Sequence, residues 1–338
     1  MNAPPLILIV GVGSIGERHA RCFLNTGRAD VAICETITER RQEVANRYNL
    51  SKYYGDFEQA LSHSNAQAAV IASPAPTHIP MARQAAEAGL HLLIEKPLSL
   101  SLEGVEELAA VVSAQQLIAA TAYCWRCHPL LDQAYQFLQS SPYGRPLEIV
   151  CQSGQCFPYY RPAYKEIYYR DRASGGGAIQ DAITHMLNTG EWFGGPIRQV
   201  AADARHQQLP DVEVEDTVHV LTRQGLDGDV MGGYCLNQYQ PANEVNWSLV
   251  YEGGVVRIEV GRHRWMRQDD PAKEWEILPH PPLDRDAMYL AQAHNFLDAL
   301  EGDAPPRCTL EDGWQTLKAN LAVLAAVDQG LSMTAIKA

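Results

Sequence analysis

In this 338-residue chain, Lys96, Asp181 and His185 are of kinds that handle protons and stand in settings that single them out. "HLLIEKPLSL" (91–100) ends an apolar run with Glu95-Lys96-Pro97, and "SGGGAIQDAITHMLN" (174–188) sets Asp181 and His185 four residues apart. That spacing puts both on one face of an expected helix opened by three glycines. An ammonium stabilises a developing alkoxide, and a histidine, with an unperturbed pKa of about 6.5, accepts a proton near neutral pH. Beside a nicotinamide, such a trio suits an alcohol that loses its hydroxyl proton as its hydride leaves.

The place for a nicotinamide cofactor is readable at the start of the chain. "LILIVGVGSIGERHA" (6–20) carries Gly11, Gly13 and Gly16, with Ser14 and Ile15 between them, directly after an apolar strand and at the mouth of a helix. Gly11 allows the tight turn, Gly13 lets the backbone approach a pyrophosphate, and Gly16 lets the helix lie close on the sheet. The phosphates then meet the helix N-terminus and its unpaired amides. Three glycines alone are a common pattern, and Glu35 strengthens it: a carboxylate at the end of the second apolar run, 24 residues after Gly11, is placed for the adenosine ribose hydroxyls. It would also repel a 2′-phosphate, so NAD is expected over NADP, with Arg40 and Arg41 partly offsetting the repulsion.

The elements that must hold these groups fall into two textures. Up to about residue 122, apolar runs at 6–10, 31–34, 68–73, 91–95 and 117–122 alternate with helical segments around 15–27, 38–48, 77–89 and 101–115. That is the pattern of a doubly wound α/β Rossmann domain with a parallel sheet. Beyond residue 145, period-two strands at 146–157, 198–208, 216–223, 228–238, 245–253 and 255–261 predict a large, mainly antiparallel sheet with one buried face. Helices return at about 284–301 and 310–329. The expected division is 1–122 and 123–338, with no repeat or linker, and with helix 310–329 packing back on the first domain.

Composition narrows the class. Lys and Arg total 27 against 40 Asp and Glu, a net charge of −13 that disfavours nucleic acid and anionic membranes. The longest apolar stretches fall short of the ~20 residues that span a bilayer. Met-Asn-Ala-Pro-Pro lacks a basic leader region, so a cytoplasmic protein is expected. "CWRCH" (124–128) matches the attachment signature of c-type haem, but eight irregularly spaced cysteines in a reducing compartment read as buried thiols. No second ligand pair accompanies them, so no metal site is expected.

With these motifs in their order, together with "ASPAPTH" (72–78), "AEAGLHLLIEKPLS" (86–99), "GGGAIQDAITH" (175–185) and the C-terminal helix pair, the chain resembles the glucose-fructose oxidoreductase, inositol dehydrogenase and MocA family over essentially its full length. The resemblance implies that Lys96 orients and polarises the reacting hydroxyl, Asp181 positions the substrate or Lys96, and His185 is the general base. It adds Ser73, Pro74, Thr77, His78 and Glu95 to the cofactor site and implies a frequently cis Lys96–Pro97 bond. It further implies that "YCWRCH" enters the second domain at the edge of the site, making Tyr123, Trp125 and Arg126 candidate substrate contacts, and that the outer sheet face builds a homodimer or homotetramer.

The individual feature of the chain is "PYYRPAYKEIYYRDRASGGG" (158–177). Between 158 and 172 it holds five tyrosines and the bases Arg161, Lys165, Arg170 and Arg172 against Glu166 and Asp171. Tyrosine faces stack on sugars and arginine forks grip carboxylate or phosphate, so Arg161, Tyr164 and Arg170 are read as a clamp for an acidic carbohydrate. Packing against a neighbouring subunit is the alternative for that segment. The leading reading is an NAD-dependent oxidoreductase acting on a secondary hydroxyl of a sugar, sugar acid or cyclitol. Two others stay open: the same site using NAD transiently for elimination, hydration or glycosidic cleavage, and a non-enzymatic cofactor-binding regulator.

Overall fold

The computed structural model describes residues 3–330. The chain forms two compact units, one of the residues up to His128 together with Leu283–Trp314, the other of Pro129–Pro282 together with the residues from Gln315 onward.

In the first unit the apolar runs become β1 (Leu6–Val10), β2 (Asp30–Cys34), β3 (Tyr53–Tyr54), β4 (Ala68–Ile71), β5 (His91–Ile94) and β6 (Ala119–Thr121), all parallel, in the order β3-β2-β1-β4-β5-β6. The near-complete burial of all but the edge strand β3 is what continuous apolar sequence provides when helices cover both faces of a sheet. Those helices are α1 (Ser14–Asn25), α2 (Thr38–Arg47), α3 (Phe57–His63), α4 (His78–Glu87) and α5 (Val105–Ala114). β3 and α3 are additions to the sequence reading. Strand order reverses at β1, which lies between β2 and β4, and that is where such sheets bind ligands.

Register makes this concrete. Val10 pairs with both Cys34 and Ile71, Ile71 with Ile94, and Ile94 with Thr121. The next residues, Gly11, Glu35, Ala72, Glu95 and Ala122, therefore share the carboxyl edge of the sheet.

The second unit begins with α6 (Pro129–Ser140), absent from the sequence reading. Its eight-stranded sheet comprises β7 (Pro146–Gly154), β8 (Ile197–Arg205), β9 (Thr217–Gln224), β10 (Val230–Asn237), β11 (Glu244–Tyr251), β12 (Gly254–Glu259), β13 (Arg264–Gln268) and β14 (Glu276–Pro279), the last two also new. Neighbours are antiparallel except β7 and β10, which run parallel at the centre. A short helix α7 (Phe157–Tyr160) starts the tyrosine-rich segment, and α8 (Thr184–Gly194) packs on the inner sheet face, where Gly190 leaves room for the Tyr234 ring.

The C-terminal helices are α9 (Ala287–Glu301) and α10 (Leu310–Gln329). α9, which the sequence reading placed in the second domain, packs into the core of the first unit through Phe296 and Leu297, with Phe296 edge-on to Phe23. The first turn of α10 belongs to the first unit and the rest to the second. No helix among the described residues is long and apolar enough to cross a membrane.

Candidate active site

The glycine loop is built as a phosphate cradle. Gly11 has φ +82° and donates its N–H to Cys34 O at 2.8 Å. A Cβ on Gly16 would collide with the Gly11 carbonyl, so only glycine lets α1 sit this close to the turn. Over Gly13 there is open space, the room that a pyrophosphate approaching the first-turn amides of Ser14, Ile15 and Gly16 needs.

Glu35 is oriented before any ligand arrives. Oε2 accepts the Val12 N–H at 3.1 Å and Oε1 the Ile37 N–H at 3.0 Å. The exposed Arg40 lies 3.5 Å from Oε2, while Arg41 donates to the Glu35 carbonyl and to Thr38. The residues present thus fit a dinucleotide: a cradle open at Gly13 and a fixed ribose acceptor beside it.

Around the ends of β4 and β5 the expected cofactor residues have divided tasks. Thr77 Oγ1 donates within its own turn, to Ser73 Oγ and the Pro74 carbonyl, both at 2.7 Å. His78 is buried, its ring nitrogens 2.8 Å from Ser73 O and 2.9 Å from Pro97 O, and burial pushes its pKa down. It ties the Ser73 loop to the cis Lys96–Pro97 bond, which the resemblance anticipated.

Glu95 is 5% exposed, with Oε1 2.7 Å from His19 Nε2 and Oε2 accepting the Lys96 N–H at 2.9 Å. Burial alone would raise its pKa, but His19, then the Lys96 charge and amide, hold it below the ordinary carboxylate value. The polar atoms of His78 and Glu95 thus bond to protein groups. The Tyr289 ring from α9 meets His19 edge-on at 6.0 Å and carries the Arg18 guanidinium on its face, and Arg18 pairs with Asp286.

His19 was missed in the sequence, although it lies on the buried stripe Gly16, His19, Ala20, Phe23 of α1, where a polar residue demands a partner.

The "CWRCH" stretch forms a single 3₁₀ turn, and none of the eight cysteines is in a disulfide. Cys124 is pushed up to about 12, first by burial, far from a reactive thiolate. Tyr123 is buried and Trp125 half-buried. Arg126 is 4% exposed, donates to the Arg307 carbonyl at 3.2 Å and pairs with Asp312 at 3.1 Å. Within the first unit, then, Tyr123 packs and Arg126 is paired.

In the second unit the expected helix is not uniform. Ile179–Ile183 is π-helical and α8 follows at Thr184, so Asp181 and His185 are not on a plain α-helical face. The wider turn carries Asp181, and π turns concentrate at functional sites. From Ile179 to Gly194 only Asp181, Ala182, His185 and Trp192 escape burial. The acid and the imidazole thus share the open edge of an otherwise enclosed helix.

Glu215 accepts the Ile179 N–H at 3.0 Å at the start of this helix, and burial pushes its carboxyl above the ordinary value. Asp216 is fully buried and collects the amides of Gln207, Gln208 and Leu209 at 2.7–2.9 Å. Those bonds outweigh burial and hold its pKa down.

The tyrosine-rich segment also divides. Tyr164 and Tyr169 are buried in a small core with Phe157, Leu209, Val212 and Val214, and Tyr164 donates to Pro210 O at 2.6 Å. Tyr164 therefore packs the segment rather than facing solvent, again unlike the sequence reading. Lys165 pairs with Asp211 and Arg172 with Asp328, while Tyr159, Tyr160, Arg161, Tyr168 and Arg170 stay exposed. The Tyr168 hydroxyl donates to Asp181 Oδ1 at 2.6 Å.

Comparison with known proteins agrees with this picture. Residues 6–123 match the NAD-binding Rossmann fold of the GFO/IDH/MocA oxidoreductase family, and residues 131–260 match its C-terminal domain. The UDP-N-acetylglucosamine 3-dehydrogenase of Acidithiobacillus ferrooxidans is 29% identical, over 95% of this chain and 96% of that protein. The scyllo-inositol 2-dehydrogenase (NAD(+)) of Bacillus subtilis is 21% identical, over 96% of this chain and 94% of its own. A levoglucosan dehydrogenase solved with NADH and levoglucosan shares the fold, with a TM-score of 0.86 at 18% identity, covering 97% of this chain and 98% of that one.

Proposed function

The chain belongs to the GFO/IDH/MocA oxidoreductase family, and from that premise we propose that it oxidises a secondary hydroxyl of a sugar, sugar acid or cyclitol, or reduces the matching ketone, with Lys96, Asp181 and His185 as the reacting protein groups. NAD, when bound, accepts the hydride from the carbinol carbon. His185 takes the hydroxyl proton, Lys96 stabilises the alkoxide as it forms, and Asp181 orients the partners.

The observation that carries this reading is the burial pattern of the π and α8 turns. A helix enclosed along nearly its whole length opens at a carboxylate and an imidazole, the pair that proton transfer requires. Relatives named for dehydrogenation of inositols and nucleotide sugars support the substrate class. Glu35, with both oxygens already oriented, favours NAD over NADP, Arg40 being the group that would moderate the preference. The exposed Arg161 and Arg170 favour a substrate that bears an anionic group.

A homodimer or homotetramer fits the outer sheet face, where β9 and β10 expose Leu221 and Met231 at 66% and 52%.

The test is absorbance at 340 nm with NAD and a panel of inositols, neutral sugars, uronates and nucleotide sugars, with mass spectrometry on the same samples. Stoichiometric NADH with one substrate, abolished in Lys96→Ala while NADH binding persists, is the expected result. Product masses or isomers changing without NADH would replace net oxidation by transient redox chemistry.

A further inference from the structure

We propose that Tyr168 is a positioning residue for Asp181, holding the carboxylate in one rotamer and in its ionised form from a partly exposed loop. The proposal rests on the reading of Asp181 as part of the reaction site. Tyr168 is 50% exposed, yet its hydroxyl donates to Asp181 Oδ1 at 2.6 Å. An exposed tyrosine bonded to water would be ordinary; one aimed at the half-buried carboxylate of a π turn needs the backbone to hold it there.

Two features supply that hold. Tyr169, the next residue, is 1% exposed, its ring 4.4 Å from that of Phe157 and its hydroxyl on Gln238. On the other side lies Gly176, where an added Cβ would collide with the Tyr169 carbonyl and come within 2.6 Å of Tyr168 O. The loop therefore rests directly on the turn that opens the helix of Asp181, and glycine is the only residue that permits the approach. This gives the middle glycine of "SGGGA" a role of its own, separate from the left-handed turns at Gly175 and Gly177.

A phenol proton donated to a carboxylate favours the ionised over the protonated acid and leaves it one orientation. Titratable groups near this carboxylate include the Tyr169 phenol, which feels Asp181, Glu215 and Asp216 together, and His185 four residues along the helix. Tyr168 donates to Asp181 from a separate loop, so Tyr168→Phe removes that one bond.

The experiment uses the full chain in two readouts. Carboxyl ¹³C titration, with the Asp181 signal assigned by its absence in Asp181→Asn, is expected to move to higher pH by about one unit in Tyr168→Phe. The exposed Tyr53→Phe serves as control and is expected to leave it in place. Gly176→Ala, whose Cβ would press on the Tyr168 and Tyr169 carbonyls while leaving the phenol and the carboxylate themselves unaltered, is expected to shift the signal in the same direction.

In parallel, turnover of NAD with the responding member of the substrate panel is expected to fall about 10- to 100-fold in kcat/KM for Tyr168→Phe. In the Asp181→Asn background the same substitution is expected to do nothing more. An unmoved titration, or an equal loss in both backgrounds, overturns the proposal and leaves Tyr168 a packing residue. Wild-type turnover in Asp181→Asn would instead overturn the role of Asp181 in the reaction, with the titration still deciding whether Tyr168 controls its charge.

Discussion

Glu95 and His19 form a buried hydrogen-bonded pair 76 residues apart in sequence, and breaking it tests how the end of β5 is held. Their side chains are 6% and 1% exposed, so neither can recover its lost partner from water. Removing one partner of such a pair costs about 3–5 kcal/mol, because the remaining group stays buried and uncompensated. For a unit of this size that is a fall in Tm of roughly 6–20 °C. Replacing both residues by leucine removes the stranded charge. What remains is the Lys96 amide, which has lost its acceptor at about 1–3 kcal/mol.

The expected pattern in thermal unfolding is therefore two large single losses, Glu95→Leu and His19→Leu, and a double variant more stable than either. The sign with pH follows from the depressed Glu95 pKa. The stability it contributes is fully present above the unfolded carboxyl value of about 4.3 and is lost as pH falls through the folded one. Single losses under about 1 kcal/mol, or strictly additive ones, would refute the reasoning by showing a solvated pair.

Further outcomes follow from the same geometry. Gly16→Ala puts a Cβ onto the Gly11 carbonyl and should weaken NADH binding about 10-fold or more in a fluorescence titration, and an unchanged Kd would remove Gly16 from the cradle. Arg126→Met should lower stability by about 1–3 kcal/mol, through the loss of Asp312 and Arg307 O, while leaving KM within twofold; a large KM change with wild-type Tm would restore Arg126 to the substrate site. Asp216→Asn should cost about 1.5–3 kcal/mol at neutral pH, since three amides lose a charged acceptor. Because the folded pKa of Asp216 is depressed, the gap between wild type and variant should close as pH falls below about 4, and a gap independent of pH down to 2 would contradict the assignment.

How much of this was legible beforehand depends on how far apart the cooperating residues are. Gly11, Gly13, Gly16 and Glu35 lie within a single βαβ unit, and local spacing singled them out as candidates. The alternation in β9 and β10 likewise announced a one-sided sheet, because side-chain direction along a strand is a period-two property of the chain itself. Lys96 and His185 were singled out as candidates by residue type and by position at a strand end and on a helix.

The burial of Arg126 and Tyr164 was not legible for the opposite reason. An arginine and a tyrosine look alike in sequence whether they face a ligand or fill a core, and the partners that decide, Asp312 and Pro210, come from distant segments.

The sequence by itself determined the parallel α/β texture of the first unit, the one-sided strands of the second, and the glycine turn with an acid at the end of β2, because each depends on the intrinsic geometry of a few neighbouring residues. Tertiary structure alone decided that α9 joins the first unit, that β7 and β10 run parallel, that Glu95 answers to His19, and that Asp181 rides a π turn under the hydroxyl of Tyr168. Each of these is a choice of partner across the chain. Such choices are set by which surfaces remain to be buried and which polar groups remain to be paired once the whole chain has folded.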